Sequence, residues 1–451
     1  MVRGGYAINA QPAYYNIFLN AYGSAPVVLS NTIASCSNAS KPCIPSGGAN
    51  YSTVHSFDNH YLQGTGANPG AFSQTLVNSS FRPPEVQSYN LGFQYAISSF
   101  LVGEARYVGV HTSAEFQSLN GNPAIGTAAK QFPQFFGNAT YCTDSTQIGY
   151  NSGNGRTSCA ASNIRLRANT SFIVYNGLQT SLRTRNFHGI TADLSWTWSR
   201  AIDNASEIFG TFGGGTTVAF AQNPLETNVS ERGLSGNSYP NVTSLGFTWV
   251  EPWLSKTENF ASKILGGYQF NTIYTYNSPQ AYTPYQLLEG SYCDSSFAAA
   301  FNSSVDTCRP ILANPSAPLG NVGVNAGGGV YQDVASGKTV SRSSEHWLIN
   351  NQAEAKSIGN PYPGVSRNTL TGDSWNNPDI SIYKSTKLTE RFNLQLQLLI
   401  YNPLNRGYYG APDAAIEDAG ATFTNYTGNA GSAFGVGTGT RNVQLGTKIL
   451  F

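Results

Sequence analysis

The chain has 451 residues, of which 11% are charged and 12% aromatic, and its formal net charge is +1. Ordinary soluble domains contain about 25% charged residues, so this chain is unusually poor in charge. A nucleic-acid binder needs an excess of Lys and Arg against phosphates, which a net charge of +1 does not supply. Aromatic residues and balanced charge exclude a disordered chain. Since no apolar run approaches about 18 residues, no transmembrane helix is predicted. A β-rich membrane barrel or a secreted β protein remains.

Apolar and polar residues alternate along several segments. The segment 89–97 places Tyr, Leu, Phe, Tyr and Ile at every second position, 190–199 alternates apolar residues with Thr, Asp and Ser, and 392–400 alternates Phe, Leu and Ile with Asn and Gln. A period of two predicts strands with one apolar and one polar face. The segments span about ten or more residues, enough to cross hydrocarbon at ~45° tilt. Aromatic residues at the ends of the apolar faces are typical of interfacial girdles.

Ten spanning strands are predicted, near 2–9, 86–97, 100–112, 173–186, 190–202, 241–251, 264–277, 378–388, 391–403 and 440–451. Short turns alternate with long loops at about 10–85, 113–172, 203–240, 278–377 and 404–439. This asymmetry is typical of outer-membrane barrels, with short periplasmic turns and long extracellular loops. We therefore predict an all-β fold, an antiparallel and partial transmembrane β-barrel in the bacterial outer membrane. The loop at 278–377 is long enough to contain a further hairpin.

The six cysteines form three local pairs within predicted long loops: Cys36 with Cys43, Cys142 with Cys159, and Cys293 with Cys308. None has the spacing of a zinc site. We predict three loop disulfides, each stabilising by roughly 3 kcal/mol through loop closure; unpaired thiols in a reducing compartment are the alternative. The first residues show no signal peptide. An oxidised chain without an export signal is expected to be a fragment of a longer protein.

Five charged residues occupy polar-face positions of the predicted strands: Glu104, Arg106, Arg183, Arg185 and Asp193. They are candidates for lining a lumen and a solute path, while paired charges that stabilise the barrel interior are the alternative. The five histidines lack metal-site spacing, and neither a nucleophile motif nor a phosphate loop is present. We therefore expect no metal, no cofactor, no catalytic residues and no enzymatic activity.

The chain ends in the pattern Gln444-x-Gly446-x-x-Ile449-x-Phe451. A polar residue, a glycine, a hydrophobic residue and a terminal aromatic resemble the signal by which barrel-assembly machinery recognises its substrates. An ordinary last strand is the alternative. With the predicted barrel, this pattern indicates two partners, the barrel-assembly machinery and outer-membrane lipid.

Ten short segments, spread over the whole chain, form a characteristic ordered set. They are VRGGY (2–6), PPEVQSYNLGFQ (83–94), EARYVG (104–109), YNGLQTSLR (175–183), WTWSRAIDNA (196–205), ERGLS (231–235), RNTL (367–370), DIS (379–381), LTERFNL (388–394) and YNPLN (401–405). This ordered set resembles the Oar-like TonB-dependent receptors, which are common in acidobacteria and often carry a carboxypeptidase-regulatory-like domain. The opening segment resembles a mid-barrel strand of that family.

The resemblance implies that residues 1–451 are the C-terminal portion of a barrel of about 22 strands, without the plug and N-terminal domains. The partners of the full-length parent would be its plug domain and TonB, and its cargo would be a bulky solute of unknown identity. Ten strands ~4.8 Å apart at ~40° tilt give a backbone diameter of only ~20 Å. If these 451 residues were instead the complete protein, it would be a passive outer-membrane channel or a structural barrel. A secreted β-rich adhesin or surface-binding protein is the third alternative.

Overall fold

The wall of the molecule is a ten-stranded antiparallel meander, in which every strand pairs with the next one along the chain. The computed structural model describes residues 1–13, 15–24, 69–206, 221–223, 225–226, 230–254, 260–288, 292, 308–407, 414–418 and 440–451. The strands are β1 (Val2–Ala10), β2 (Glu85–Ala96), β3 (Leu101–Asn120), β4 (Ile164–Phe187), β5 (Ile190–Asp203), β6 (Asn241–Val250), β7 (Tyr268–Asn277), β8 (Trp375–Lys387), β9 (Asn393–Tyr401) and β10 (Asn442–Leu450). They correspond one to one with the ten predicted strands, which confirms the all-β class.

The register gives the wall two chemically distinct faces. Directly opposed residues of an antiparallel pair project to the same side, and Leu182, Leu194, Leu245 and Tyr274 face one another across four neighbouring strands. On this apolar face Phe93, Leu396 and Trp196 are 55%, 47% and 37% exposed. Water-soluble monomers rarely expose contiguous apolar surface on this scale. The apolar face is therefore suited to hydrocarbon and not to a dry protein core.

Three strand boundaries differ clearly from the predictions. Strands β3 and β4 are 20 and 24 residues long and extend well past the expected limits at 112 and 173. Their pairing is irregular between Thr112 and Gln117, where Ala114 has φ 56°, so the alternation that marks a strand is interrupted there. The start predicted for the seventh strand at 264 is wrong, because 260–265 forms a short helix and the strand begins at Tyr268.

Short turns join the strands at one end of the wall. At the turn between β4 and β5 the backbone takes positive φ at Asn186, His188 and Gly189, with values of 49°, 50° and 83°. A Cβ on Gly189 would lie 2.0 Å from the carbonyl oxygen of Val250. Only glycine avoids that clash while keeping this backbone conformation, so the residue allows close approach of two neighbouring turns.

The long connections at the other end carry the remaining elements. Among the described residues, helices span Tyr15–Tyr22, Gly126–Gln131, Pro133–Phe136 and Gln352–Ile358, and the helix Phe260–Leu265 lies on the short-turn side. Strand Gln74–Val77 pairs in parallel with β4, Gly233–Leu234 pairs with β5, and Ala281–Tyr282 pairs with Leu370–Thr371. A five-stranded sheet has the order Ile311–Leu312, Trp347–Leu348, Val322–Gly327, Val330–Asp333 and Thr339–Val340. The hairpin in this sheet lies outside the wall, so within the described residues the 278–377 loop adds no strand to the wall.

The buried core lies among these long connections. One cluster joins Val322, Trp347, Ile349 and Ile416, and a second joins Ala128, Phe132, Tyr292 and Ala355. No helix within the described ranges is both long and apolar enough to cross a membrane.

Candidate functional site

The polar face of the wall contains a hollow over Gly246. In register, Arg183 opposes Asp193, Asp193 opposes Gly246, and Gly246 opposes Ile273, so four neighbouring strands place these residues in one row. A cavity of about 470 Å³ opens here, and its polar-face lining is completed by Arg185, Thr191, Thr248 and Asn271. We call it the Gly246 hollow. Its floor is open because a Cβ on Gly246 would meet no atom within 4 Å.

The charged side chains that line the Gly246 hollow are one carboxylate and two guanidinium groups. The next carboxylate in the row belongs to Asp379, which opposes Ile273 and lies outside the lining. Arg183 Nε lies 2.9 Å from Asp193 Oδ2, in a pair whose side chains are more than half exposed. Within the described residues the guanidinium of Arg185 takes part in no ion pair and no side-chain hydrogen bond. Because Asp193 offsets one of the two arginines, the hollow carries a net positive charge.

A smaller hollow lies over Gly92 on the same face. Arg3 opposes Gly92, and Gly92 opposes Arg106, so a glycine separates two arginines across β1, β2 and β3. Glu104 contributes a carboxylate to its lining, and the cavity is about 90 Å³. Arg106 donates from Nη2 to Gln179 Oε1 at 2.6 Å, on the β4 side and away from Gly92. The Arg106 stem lies 3.2 Å from where a Gly92 Cβ would be, which explains the small volume.

All five charged residues proposed as lumen-lining lie on the polar face, and the register divides them between the two hollows. That this face borders an aqueous lumen stays a prediction. Sequence reasoning missed Arg3, Gly92 and Gly246, which complete the hollows. The alternation of faces along β1 places Arg3 on the polar face and could have identified it. The two glycines could not be identified in this way, because their role depends on which residues oppose them on neighbouring strands.

The long connections interlock at the far end of the wall, in what we call the cap. Arg309 Nη1 lies 2.7 Å from Glu231 Oε2, and Arg367 Nη1 lies 3.0 Å from Asp203 Oδ1, with all four side chains nearly fully buried. Arg367 Nη1 also donates to the Glu231 carbonyl oxygen at 3.0 Å. Since Asp203 ends strand β5, these ion pairs attach the 204–240 and 278–374 connections to each other and to the wall.

Other contacts extend the cap to the remaining long connections. The Tyr292 hydroxyl donates to Gln131 Oε1, and Phe136 packs against Tyr362, so the 121–163 and 278–374 connections meet. A bridge between Tyr285 and Ala415 brings in the 402–441 connection. Every contact lies at the end opposite the short turns, where the chain is predicted to face the exterior.

A buried arginine joins the 11–84 connection to the extended β3–β4 hairpin. Arg167 donates to Ser118 Oγ and, at 2.9 Å, to Asn20 Oδ1 of the first helix. Burial, with a smaller contribution from neighbouring Arg165, lowers the pKa of Arg167 to about 9. Because that value is still above neutral pH, the guanidinium stays charged and its hydrogen bonds are charge-assisted.

The 121–163 connection is closed by a disulfide between Cys142 and Cys159, whose Cα atoms lie 4.9 Å apart. This is one of the three predicted pairs. Cys308 is also disulfide-bonded, while Cys293, Cys36 and Cys43 lie outside the described residues. Inside the connection, buried Asn122 accepts from the Ser158 backbone N–H at 2.7 Å and donates to the Ala161 carbonyl oxygen at 2.8 Å.

The residues of the C-terminal pattern divide between the two faces of β10. Gly446 opposes Gln397 on the polar face, which also carries Gln444, whereas Ile449 opposes Leu394 on the apolar face. Phe451 follows the last strand residue and is 98% exposed. The terminal aromatic is therefore accessible to another protein.

No group of three or more His, Cys, Asp or Glu side chains within the described ranges is arranged to hold a metal ion. The two hollows and the cap together form the candidate functional site. The chemistry that these residues offer is hydrogen bonding and charge.

The sequence from residue 1 to residue 444 matches a family model described as an outer membrane beta barrel domain. No functionally curated protein matches the chain significantly. Similar solved structures include the outer membrane transporter YddB from Escherichia coli (9% identity, 84% of this chain and 33% of that one, TM-score 0.34). Two others are the FrpB iron transporter from Neisseria meningitidis (10%, 84% and 33%, 0.32) and the pyoverdine receptor FpvA from Pseudomonas aeruginosa PAO1 (10%, 83% and 31%, 0.34). The chain spans about a third of the length of these proteins.

Proposed function

The chain belongs to the family of outer membrane β-barrel domains, and from this premise we propose that it is part of the wall of an Oar-like TonB-dependent receptor. Residues 1–451 supply C-terminal strands of the barrel, and the plug and N-terminal domains are separate from them. The function of the assembled receptor is transport of a bulky solute across the outer membrane. TonB supplies the energy, and the plug domain gates the passage.

The observation that carries the proposal is a two-faced wall with two unsatisfied edges. Within the described residues β1 pairs only with β2, and β10 pairs only with β9. Each unpaired backbone group in hydrocarbon costs several kcal/mol, so both edges need partners in a membrane. The β1 sequence resembles a mid-barrel strand, which favours further strands from the same receptor as the partners.

The cap and the polar face support a transport role. In the proposed orientation the cap lies outside the cell, where it is the first surface that a solute meets. The polar face supplies charged and amide side chains along the wall below the cap, and such groups tune selectivity when they face a lumen.

A passive outer-membrane channel or structural barrel is the second candidate, because β1 and β10 run in opposite directions and an antiparallel closure of ten strands is geometrically allowed. The secreted adhesin is at odds with family membership and with the exposed apolar face.

Liposome swelling separates the two membrane candidates. The chain is folded into liposomes and exposed to neutral sugars of increasing size. If the chain is a wall segment that needs further strands, sugars do not enter the liposomes in an order set by their size. The full-length receptor, which would include the plug, is expected to bind the periplasmic domain of TonB. Rapid entry of small sugars through the chain alone would establish the passive channel and reject the receptor proposal.

A further inference from the structure

The Gly246 hollow combines a net positive charge in its lining with an open depression of about 470 Å³ in the polar face of the wall. We infer that it is a binding site for a multiply charged oxyanion, that is, for the phosphate or carboxylate groups of a small solute. This goes beyond the proposed function, since it assigns a ligand class to one place on the wall whether or not the wall closes.

The two arginines have different roles. Arg183 pairs with Asp193 at 2.9 Å through Nε, which leaves the other N–H groups of its guanidinium to donate to a ligand. Arg185 lies two residues further along the same strand and face, with no ion pair among the described residues. Guanidinium groups match carboxylate and phosphate oxygens in bidentate geometry. Arg185 is therefore the principal anion contact, and Arg183 completes the donor set.

The opposite rim of the hollow is already ordered. Thr248 Oγ1 donates to Asn271 Oδ1 at 3.0 Å, and Asn271 Nδ2 donates to Ser381 Oγ at 3.1 Å. Because hydrogen bonds fix the Asn271 amide, its ordering is not a cost of binding. The amide and hydroxyl groups are suited to the uncharged polar part of a solute.

The size of the hollow limits the ligand. Small-molecule sites occupy about 300–1,000 Å³, and the Gly246 hollow, at about 470 Å³, lies in this range. The Gly92 hollow also has two arginines and one carboxylate, but its volume is only about 90 Å³. It therefore serves as an internal comparison, with similar charge and too little room.

Isothermal titration calorimetry of the 451-residue chain, folded in detergent micelles, tests the inference with citrate and inorganic phosphate as probes and glucose as the neutral probe. We expect citrate and phosphate to bind and glucose not to bind. Losing a charged donor weakens a contact by about 1.5–3 kcal/mol, so Arg185→Gln should weaken citrate binding by about tenfold or more. Arg185→Lys should retain part of the affinity.

Two further variants separate a built site from general positive charge. Gly246→Leu keeps every charge and fills the hollow, and it is expected to abolish citrate binding; the open space at Gly246 makes this change sterically tolerable. Arg200→Gln on β5 is the matched control, because Arg200 lies on the opposite face and its loss should leave binding unchanged. Circular dichroism verifies folding of each variant. Unchanged citrate affinity in Arg185→Gln or Gly246→Leu, or no binding to the unaltered chain, would overturn the inference.

Discussion

One ion pair in the cap and one on the wall show how burial changes the energetic cost of losing a single charged residue. The Arg309–Glu231 pair is nearly inaccessible to water, whereas the Arg183–Asp193 pair on the wall is more than half exposed. Water screens an exposed pair, so its loss costs only about 0–1 kcal/mol. Removing one member of a buried pair leaves an uncompensated charge and costs about 3–5 kcal/mol.

Arg309→Met should therefore lower the free energy of unfolding by about 3–5 kcal/mol, because Glu231 is left buried without its cation. Adding Glu231→Gln should recover part of this loss. In the unaltered chain the Gln222 backbone N–H donates to Glu231 Oε1 at 2.9 Å, and the amide oxygen of the variant can still accept this hydrogen bond. Urea unfolding in detergent measures both, and Arg183→Met is the exposed control. Equal losses in Arg309→Met and Arg183→Met would contradict the role given to burial.

A titratable group above the membrane-spanning part of β3 predicts a pH dependence. Burial raises the pKa of Glu115 from 4.5, opposed by a hydrogen bond from the Phe116 backbone N–H. A raised pKa means that the folded chain holds the proton more tightly, so this stabilisation is complete below pH 4.5 and is lost as pH rises through the raised value. In Glu115→Gln the free energy of unfolding should therefore depend less on pH in that window than in the unaltered chain. If the two plots of unfolding free energy against pH were parallel, Glu115 would not be the group responsible.

At the scale of one strand, two adjacent positions of β9 report on opposite solvents. Leu398 opposes Ile382 and Leu445 on the apolar face, whereas Gln397 opposes Tyr383 and Gly446 on the polar face. Arginine at mid-membrane on a lipid-facing position costs about 2–4 kcal/mol, while lumen positions tolerate it. Leu398→Arg should therefore destabilise the folded chain by that amount and Gln397→Arg by little, as measured by urea unfolding in lipid vesicles. Similar costs at both positions would exclude the two-solvent assignment.

The end of β10 predicts an effect on assembly. Replacing Phe451 with Ser should reduce the folded fraction in the outer membrane, because it removes the terminal aromatic of the proposed assembly signal. Leu450→Ser, one residue earlier on the polar face, is the matched control and should assemble normally. Heat-modifiable migration of outer-membrane fractions quantifies both variants. Normal insertion of the Phe451 variant would identify β10 as an ordinary last strand.

At the scale of the whole molecule, the wall and the cap are stabilised by different forces. The wall has few buried side chains and depends on ladder hydrogen bonds and a hydrocarbon surrounding, whereas the cap contains the buried clusters and ion pairs. The cap also contains the disulfide between Cys142 and Cys159. An oxidising exterior is consistent with its position.

Non-reducing peptide mass spectrometry should recover three bridges, Cys36–Cys43, Cys142–Cys159 and Cys293–Cys308. Each closes a short loop, so reduction should lower the stability of the cap and leave the strand content of the wall largely unchanged. Circular dichroism before and after reduction measures the second effect. Free thiols at these positions in the mature protein would contradict the placement of the long connections on the outer side.

The amino-acid sequence by itself determined the number, order and facing of the wall strands, because a period of two is a local property that each strand carries. It also indicated five of the charged residues on the polar face. It did not indicate the extension of β3 and β4, where an irregular register hides the alternation, nor the helix before β7.

Only the tertiary structure decided which charges share a hollow and which loops form the cap. Arg3 and Arg106 are 103 positions apart along the chain, and both become neighbours of Gly92 through strand register. Arg309 and Glu231 likewise meet only when two long connections fold together. Alternation specifies the side of a strand on which a residue lies, but cross-strand pairing and loop packing depend on contacts between distant segments, for which a single sequence has no local signal.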